Sequence, residues 1–415
     1  MTKDPGNIRI EDYTYKLPDD RIARYPLKER DSSRLLVWNG ADIKDRVFRD
    51  LPGLIAPGSL MVFNNTRVIR ARLLFKKESG AVIEIFCLEP HEPRELSLSL
   101  SSSSGVEWVC LVGNLKRWKK GRLTAVFQLA GIDHKLYAER LSASGDAFMI
   151  RFGWDDPLIT FGEILDTLGH VPIPPYLGRE DEESDRKRYQ TTYASVDGSV
   201  AAPTAGLHFT PAVIEGLSRA GINQAEVTLH VSAGTFRPVK SEKISDHRMH
   251  TEHFFITADT VRKLKHADIT AVGTTTVRTL ESIYWLGAAI AAGRNPGEYP
   301  SVSQWEPYEN DSLISAEGAL DHLLEWMLKK GKAETEGKGE IEGEFQVEVR
   351  TDIIIVPGYR FRLIKGLVTN FHQPGSTLLL LVAALTGESW KDIYSHALAT
   401  GYRFLSYGDS MLLRP

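Results

Sequence analysis

Four short segments gather the side chains able to move a proton or hold a polar ligand. In Ala201-Ala202-Pro203-Thr204-Ala205-Gly206-Leu207-His208-Phe209-Thr210, a Pro-Thr-Ala-Gly turn precedes Thr210-Pro211, an N-cap with proline at the first helical position. Such a turn can aim backbone N–H groups, the Thr204 hydroxyl and the His208 imidazole into one cleft, and Gly206 would admit a ligand close to the backbone. A plain turn over a core histidine accounts for the same residues. Val272-Gly273-Thr274-Thr275-Thr276-Val277-Arg278 joins a strand to a helix and offers Thr275 and Arg278 to a ribose or an anion, unless the threonines only cap the helix. It is neither a P-loop nor a dinucleotide fingerprint, because Gly-Lys-Ser/Thr and G-x-G-x-x-G are both missing. Leu229-His230-Val231-Ser232-Ala233-Gly234-Thr235-Phe236 puts His230 at a strand's end, where α/β sites gather. Thr369-Asn370-Phe371-His372-Gln373-Pro374-Gly375-Ser376-Thr377 is a donor-rich loop ahead of an apolar helix that Ser376 or Thr377 can cap.

Glu252 reads as a base or a hydrogen-bonding carboxylate. The every-third-residue spacing of His247, His250 and His253 around it converges poorly on a metal, and no Cys/His spacing matches a zinc site. Tyr402 to Asp409, with Tyr407, either closes the same cleft or packs in the core. Lys116-Arg117-Trp118-Lys119-Lys120 with Arg122 packs five cations around a tryptophan, a patch that can pair with phosphates and stack on an unpaired base, or stand as a solvated hairpin tip. Arg67, Arg70 and Arg72 form a second basic run.

These groups need elements to carry them. Arg34–Trp38 and Ser59–Phe63 are apolar runs bounded by Asn, Gly and Pro, and read as buried strands. From Leu73 to Phe152 the segments are short, alternating or β-branched, and separated by Gly, Ser and Asp: a small all-β barrel inserted into a larger domain. Beyond Pro157 helices and strands alternate, which is α/β texture. A helix starts at Thr210-Pro211, a strand spans Ala225–Ser232, a helix Thr257–Ala267, a strand Ile269–Val272 and a helix Val277–Leu286. Gly287 to Val349 reads as an extra segment, with a helix over Ser315–Lys330 closed by Gly331 and a Gly-, Glu- and Lys-rich surface loop over Lys332–Glu344. Ile353–Val356 reads as a buried strand.

At 415 residues the chain exceeds one ordinary hydrophobic core, so a large domain and a smaller one are expected. Apolar residues at 42% and charged residues at 25% suit a soluble enzyme, and a net charge of −4 means that any affinity for RNA must be local. The polar Met1–Tyr15 stretch lacks a signal-peptide core, and Leu378–Leu385 is too short to span a membrane, which points to the cytoplasm. Cys87 and Cys110 read as reduced core thiols.

The order of seven motifs closely resembles one family, the S-adenosylmethionine:tRNA ribosyltransferase-isomerases of queuosine biosynthesis. They are Asn64-Asn65-Thr66-Arg67-Val68-Ile69, Ala201 to Phe209, Leu229 to Phe236, Met249-His250-x-Glu252, Gly273 to Glu281, Thr369 to Pro374, and Tyr402 to Asp409. Arg188 to Thr191 and Trp108 to Lys120 also look like that family, and the likeness runs from Tyr13 to Leu413 outside Gly287–Val349. It implies an α/β main domain (residues 1–72 and 153–415, with the extra segment at about 287–349) carrying a small all-β barrel at 73–152. It also implies that the ribosyl part of S-adenosylmethionine moves onto 7-aminomethyl-7-deazaguanine in the tRNA wobble position. Adenine and methionine would leave and epoxyqueuosine form, with S-adenosylmethionine as co-substrate, no permanently bound cofactor, no metal and no membrane.

Chemistry of that kind assigns proton transfer to His208, His230, Glu252 and His372. Thr204, Gly206, Thr275, Arg278, Asn370 and Tyr407 would hold substrate, and Lys116, Arg117, Trp118, Lys119 and Lys120 the tRNA. Ser232 stands where the family usually has a second glycine, and with the extra segment it leaves room for a shifted RNA substrate. A related transferase with another acceptor, a non-catalytic RNA-binding relative and a methyltransferase are the alternatives; the last lacks its usual Gly-rich first loop.

Overall fold

A computed structural model describes residues 5–232, 239, 241–309, 314–335 and 345–415. Its framework is a ten-stranded mixed sheet, in the spatial order Ser301–Val302, Gln346–Thr351, Glu252–Thr257, Asn223–His230, Leu60–Asn64, Ile269–Val272, Ile364–Asn370, Ser410–Leu413, Arg34–Trp38, Ile43–Val47. The four central strands from Asn223–His230 to Ile364–Asn370 run parallel. Every residue of Leu60–Asn64 and Ile269–Val272 is buried, as a parallel sheet covered on both faces requires. Alternate residues feed two cores: Leu60, Val62, Ala271 and Leu367 face one, while Met61, Phe63, Val272 and Val368 face the other. The first core is closed by the helix Thr274–Ala291 and the second by the helix Pro211–Arg219, which Thr210 caps at Val213 N–H.

Six antiparallel strands form the second sheet, in the order Arg72–Lys76, Val82–Glu92, Val106–Gly113, Ala147–Trp154, Ile132–Ser144, Leu123–Leu129. The first and last touch without forming a ladder, so the sheet is a nearly closed barrel. Its side chains alternate in and out along Val82–Leu88, and the helix Phe161–Leu168 packs Phe161 and Ile164 on its core. Cys87 and Cys110 face each other across two strands as free, buried thiols.

Several expectations are corrected. Ile353–Val356 is buried but lies outside any ladder; Gln346–Thr351 is the strand instead. The apolar run is buried on all sides, and side chains satisfy its backbone: Arg278 Nε donates to Ile353 O, and Tyr308 Oη serves Ile354 O and Val356 N–H. Apolarity therefore marked burial there and not pairing. The helix expected to stop at Gly331 continues to Thr335. Gly331 lies against the Phe345 ring, where a Cβ would sit 3.1 Å away, so that glycine serves close packing. Residues 336–344 of the expected loop, and Gly234-Thr235-Phe236, lie outside the described residues. The extra segment also contributes Ser301–Val302 and Gln346–Thr351 to the main sheet.

Helix Thr274–Ala291 is fixed at two points. Glu281 is fully buried and accepts hydrogen bonds from the Tyr359 hydroxyl (2.7 Å) and the N–H groups of Arg362 (2.9 Å), Leu363 (3.1 Å) and Ile364 (3.3 Å). Burial pushes its carboxyl pKa up while those donors pull it down. The pairing sets where strand Ile364–Asn370 begins. Further along, Gly287 lies against the backbone of Ala319 in helix Ala316–Thr335, leaving no room for a methyl group. Gly287→Ala should therefore lower the unfolding free energy by about 1–3 kcal/mol, read from the denaturant midpoint. Gly53→Ala, whose added Cβ meets nothing within 4 Å, should stay within about 0.5 kcal/mol; equal midpoints in both variants would rule out that close helix crossing.

Candidate active site

The carboxyl ends of the four parallel strands open on one edge, the usual place for a site in an α/β sheet. Thr66, His230, Thr274 and Asn370 stand at or just past those ends. Gly273 makes the turn into helix Thr274–Ala291 with φ 93°, a conformation that favours glycine, and its N–H donates to Val368 O at 2.8 Å. No side chain caps that helix start, and Thr274, Thr275 and Thr276 at its first turn are buried. A single turn of 3-10 helix, Thr204–His208, folds beside it and brings Ala205 close to Gly273. Thr204 is half-buried at the start of that turn. Gly206 does not leave space for a ligand as expected: a Cβ there would strike Tyr193 Oη and Thr191 Cγ2. It is glycine because the protein's own side chains fill the volume.

Asn370 joins three segments at this edge. Its Nδ2 lies 3.3 Å from Leu405 O and 3.1 Å from His208 Nε2. The carbonyl can only accept, so the amide group must point its NH2 there, and His208 Nε2 must accept as well. The ring proton then sits on Nδ1 and is donated to Ser33 Oγ, 2.8 Å away. Leu405 has φ 70°, an uncommon value for a branched residue. The loop that holds it is tied by Asp409, which accepts from the N–H groups of Arg34 (3.0 Å) and Arg403 (2.8 Å). Asn370 Oδ1 is buried with no hydrogen-bond partner among the described residues.

Burial and then the Arg403 charge push the His208 pKa down to about 3, so the ring is neutral at pH 7 and both its nitrogens are engaged. His372, depressed by burial to about 3, has Nε2 at 2.9 Å from Thr369 Oγ1. His230 is brought down to about 4 by burial and next by the His253 charge, while Glu348 and Asp197 act in the opposite direction. Its Nδ1 is 3.1 Å from Thr66 Oγ1, and Nε2 takes no hydrogen bond among the described residues.

Glu252 and Arg278 form a fully buried ion pair, so Glu252 is not the isolated base the sequence reading allowed. Its other oxygen is 3.3 Å from His250 Nε2. Arg278 Nε serves Ile353 O, and Nη2 is buried without a hydrogen-bond partner among the described residues. Tyr407 donates to Asp185 Oδ1 at 2.8 Å, and Asp185 in turn pairs with Arg179 at 2.6 Å, so the Tyr407 hydroxyl is taken up inside the protein and only its ring walls a pocket. That pocket is also lined by Arg30, Ser33, Arg188, His208 and Arg403. Ser33 and Arg30 escaped the sequence reading, and Arg403 entered it only as part of the Tyr402–Asp409 motif; Ser33 belongs to no motif, and its partner is 175 residues away. Asn64 and Asn65 were read only as part of a motif: Asn64 closes both backbone groups of Leu229, and Asn65 binds Glu226 and Thr228. Among the described residues no group of three or more His, Cys, Asp or Glu converges as a metal site, and no helix is long and apolar enough to cross a membrane.

The basic segment belongs to the barrel, but it is not the hairpin expected: it connects Val106–Gly113 to Leu123–Leu129, which do not pair with each other. Lys116, Arg117, Lys119, Lys120 and Arg122 are exposed, but Trp118 is 1% exposed in the barrel core, with Nε1 donating to Gly121 O at 2.9 Å. It offers no face to a base, which corrects the stacking expectation. The second basic run is largely neutralised: Arg67 binds both oxygens of Asp197, Arg70 a backbone carbonyl, and Arg72 binds Glu84.

Comparison with known proteins agrees along the chain. A family model described as queuosine biosynthesis protein matches residues 10–413. A protein of Desulfitobacterium hafniense named S-adenosylmethionine:tRNA ribosyltransferase-isomerase is 39% identical over 98% of this chain and 100% of its own length. One of the same name from Syntrophomonas wolfei is 38% identical over 99% of both. A crystal structure of S-adenosylmethionine tRNA ribosyltransferase from Thermotoga maritima is 29% identical, with a TM-score of 0.44 over 97% of this chain and 99% of that one.

The three neutral imidazoles give the fold an acid sensitivity. Unfolded histidines titrate near 6.5, whereas His208, His230 and His372 stay neutral in the fold down to about 3, 4 and 3. The unfolded chain therefore takes up protons first as pH falls, and stability, full above pH 6.5, is lost on descent toward pH 4. Lowering pH from 6.5 to 5.5 should cost about 1 kcal/mol per histidine. His372→Gln should flatten that slope in chemical denaturation at both pH values; an unchanged slope would contradict the neutral, buried state.

Proposed function

This chain belongs to the queuosine biosynthesis protein family, and from that premise we propose that it is an S-adenosylmethionine:tRNA ribosyltransferase-isomerase. It moves the ribosyl part of S-adenosylmethionine onto the aminomethyl group of a 7-deazaguanine in the tRNA wobble position, releasing adenine and methionine and forming the epoxycyclopentanediol. The observation that carries this reading is likeness to proteins of that name over nearly their whole length.

The sulfonium acidifies the neighbouring C5′ hydrogens, so a neutral base beside it begins the reaction. His230 fits best: it stands at the strand edge, is neutral at pH 7, is oriented by Thr66, and its Nε2 takes no hydrogen bond among the described residues. Asp197 and Glu348 favour the imidazolium that forms as it accepts the proton. His208 and Asn370 position and do not abstract, since both His208 nitrogens are engaged. Asn370 Oδ1, Arg278 Nη2 and Thr275 at the uncapped helix start are suited to ribose hydroxyls and to charge that develops as the ring opens. Thr204 flanks them, and His372 supports the Thr369–Asn370 turn from behind. The Glu252–Arg278 pair holds Arg278 in place. The exposed cations of the basic connection in the barrel take the tRNA backbone.

Adenine and methionine should appear in equal amounts, and only with tRNA that bears the aminomethyl-deazaguanine. His230→Ala should lower kcat by at least about 10²-fold with little change in the melting temperature. Formation of S-adenosylhomocysteine and a methylated nucleoside would overturn the assignment. Charge reversal of Lys119 and Lys120 should raise KM for tRNA and flatten its salt dependence, because fewer counterions are released, while KM for S-adenosylmethionine stays within about twofold. No change in the tRNA terms would make the patch a solvated surface loop only.

A further inference from the structure

We propose that the pocket walled by Arg30, Arg188 and Arg403 binds a phosphodiester of the tRNA next to the nucleotide that reacts; this rests on the reading of function above. Three arginines line one pocket with Ser33, His208 and Ser406, and carboxylates do little to neutralise them. Arg30 donates only to carbonyls, those of Gln190 (2.6 Å), Lys187 (2.7 Å) and Leu207 (3.3 Å). Arg188 likewise serves the carbonyls of Lys28 (2.9 Å) and Leu27, and its Nε is buried with no partner among the described residues. Arg403 meets Asp409 at 3.4 Å, but that carboxylate also accepts from two backbone N–H groups. Asp185, behind Tyr407, is paired with Arg179.

The cations are near enough to act on one another. Burial, and after it the charge of Arg188, lowers the pKa of Arg30, and the Arg403 charge helps to keep His208 neutral. Like charges held together and satisfied mainly by carbonyls are stabilised by an anion that supplies the missing counter-charge. Carbonyls fix the guanidinium planes of Arg30 and Arg188, which leaves both oriented before the ligand arrives.

Two anions could fill the pocket, a phosphodiester of the tRNA and the carboxylate of S-adenosylmethionine. The surroundings favour the first. Lys28 and Lys187 are exposed beside the arginines and form no ion pair among the described residues, so the positive surface continues past the pocket. A continuing stripe suits a polyanion better than one carboxylate. The pocket is also built directly onto the catalytic edge, because His208 forms its wall and hydrogen-bonds Asn370.

The test uses the full-length enzyme with S-adenosylmethionine and the aminomethyl-deazaguanine tRNA across a salt series. Arg188→Gln should raise KM for tRNA at least about tenfold and reduce the slope of log KM against log salt by about one, with KM for S-adenosylmethionine within about twofold. Arg188→Lys, which keeps the charge, should restore most of the slope. Arg403→Gln should repeat the effect if Arg188→Gln folds poorly, and melting curves identify that case. Unchanged tRNA affinity and slope in both glutamine variants would overturn the proposal. A rise in KM for S-adenosylmethionine alone would overturn it too, by assigning the pocket to the carboxylate. If the wild type releases no adenine, the reading of function fails instead, and direct tRNA binding by wild type and Arg188→Gln still decides the pocket.

Discussion

The amide of Asn370 is the point on which the site depends. It ends a central parallel strand, and one NH2 group binds both the imidazole of His208 and the carbonyl of Leu405. The first contact fixes the His208 tautomer and, through Nδ1, reaches Ser33. The second holds a residue at φ 70° in a loop that also carries Arg403 and Tyr407. An aliphatic residue at position 370 would leave the buried His208 Nε2 acceptor unmet, at a cost of about 1–3 kcal/mol, while Leu405 O would keep the Gly408 N–H. The strand's own placement is set from its other end by Glu281, whose carboxylate gathers three successive N–H groups. Two buried side chains thus locate the strand that carries the site, one at each end.

Electrostatics then divide the edge into regions. The histidines are neutral because burial forbids their charge, and the neighbouring Arg403 charge reinforces this for His208. Around them the charges are either matched, as in Glu252–Arg278, or left in excess, as beside Arg30 and Arg188. A chain of net charge −4 can thereby gather cations around one pocket while keeping neutral imidazoles at the sheet edge.

Much of this was legible in the residues. The apolar runs of the central strands, the alternating texture of the barrel and the Thr210-Pro211 helix start follow from local rules, and the structure carries each of them. What was not legible depends on partners far along the chain. Trp118 sits among five cations in sequence, yet its ring faces the barrel core. Gly206 resembles a ligand-contact glycine until Tyr193 is seen against it. Ser33 has no motif, and Ile353–Val356 has the composition of a strand while Tyr308 and Arg278 take its hydrogen bonds. Polar side chains that replace a ladder leave no periodic trace, so composition alone cannot reveal them.

The order of strands in the main sheet has a consequence for how the protein is made. Residues 410–413 lie between Ile364–Asn370 and Arg34–Trp38, with Ser410 opposite Leu35. The hairpin formed by Arg34–Trp38 and Ile43–Val47 therefore joins the sheet only through a strand synthesised long after it. During translation that early hairpin has an open edge and no neighbour, whereas the barrel, whose strands pair within one continuous stretch, can close at once. Ser33, just ahead of that hairpin, reaches His208 within the same late event. The catalytic edge is thus among the last parts of the molecule to assemble, so a ribosome-bound or prematurely released chain would carry a folded barrel and no working site.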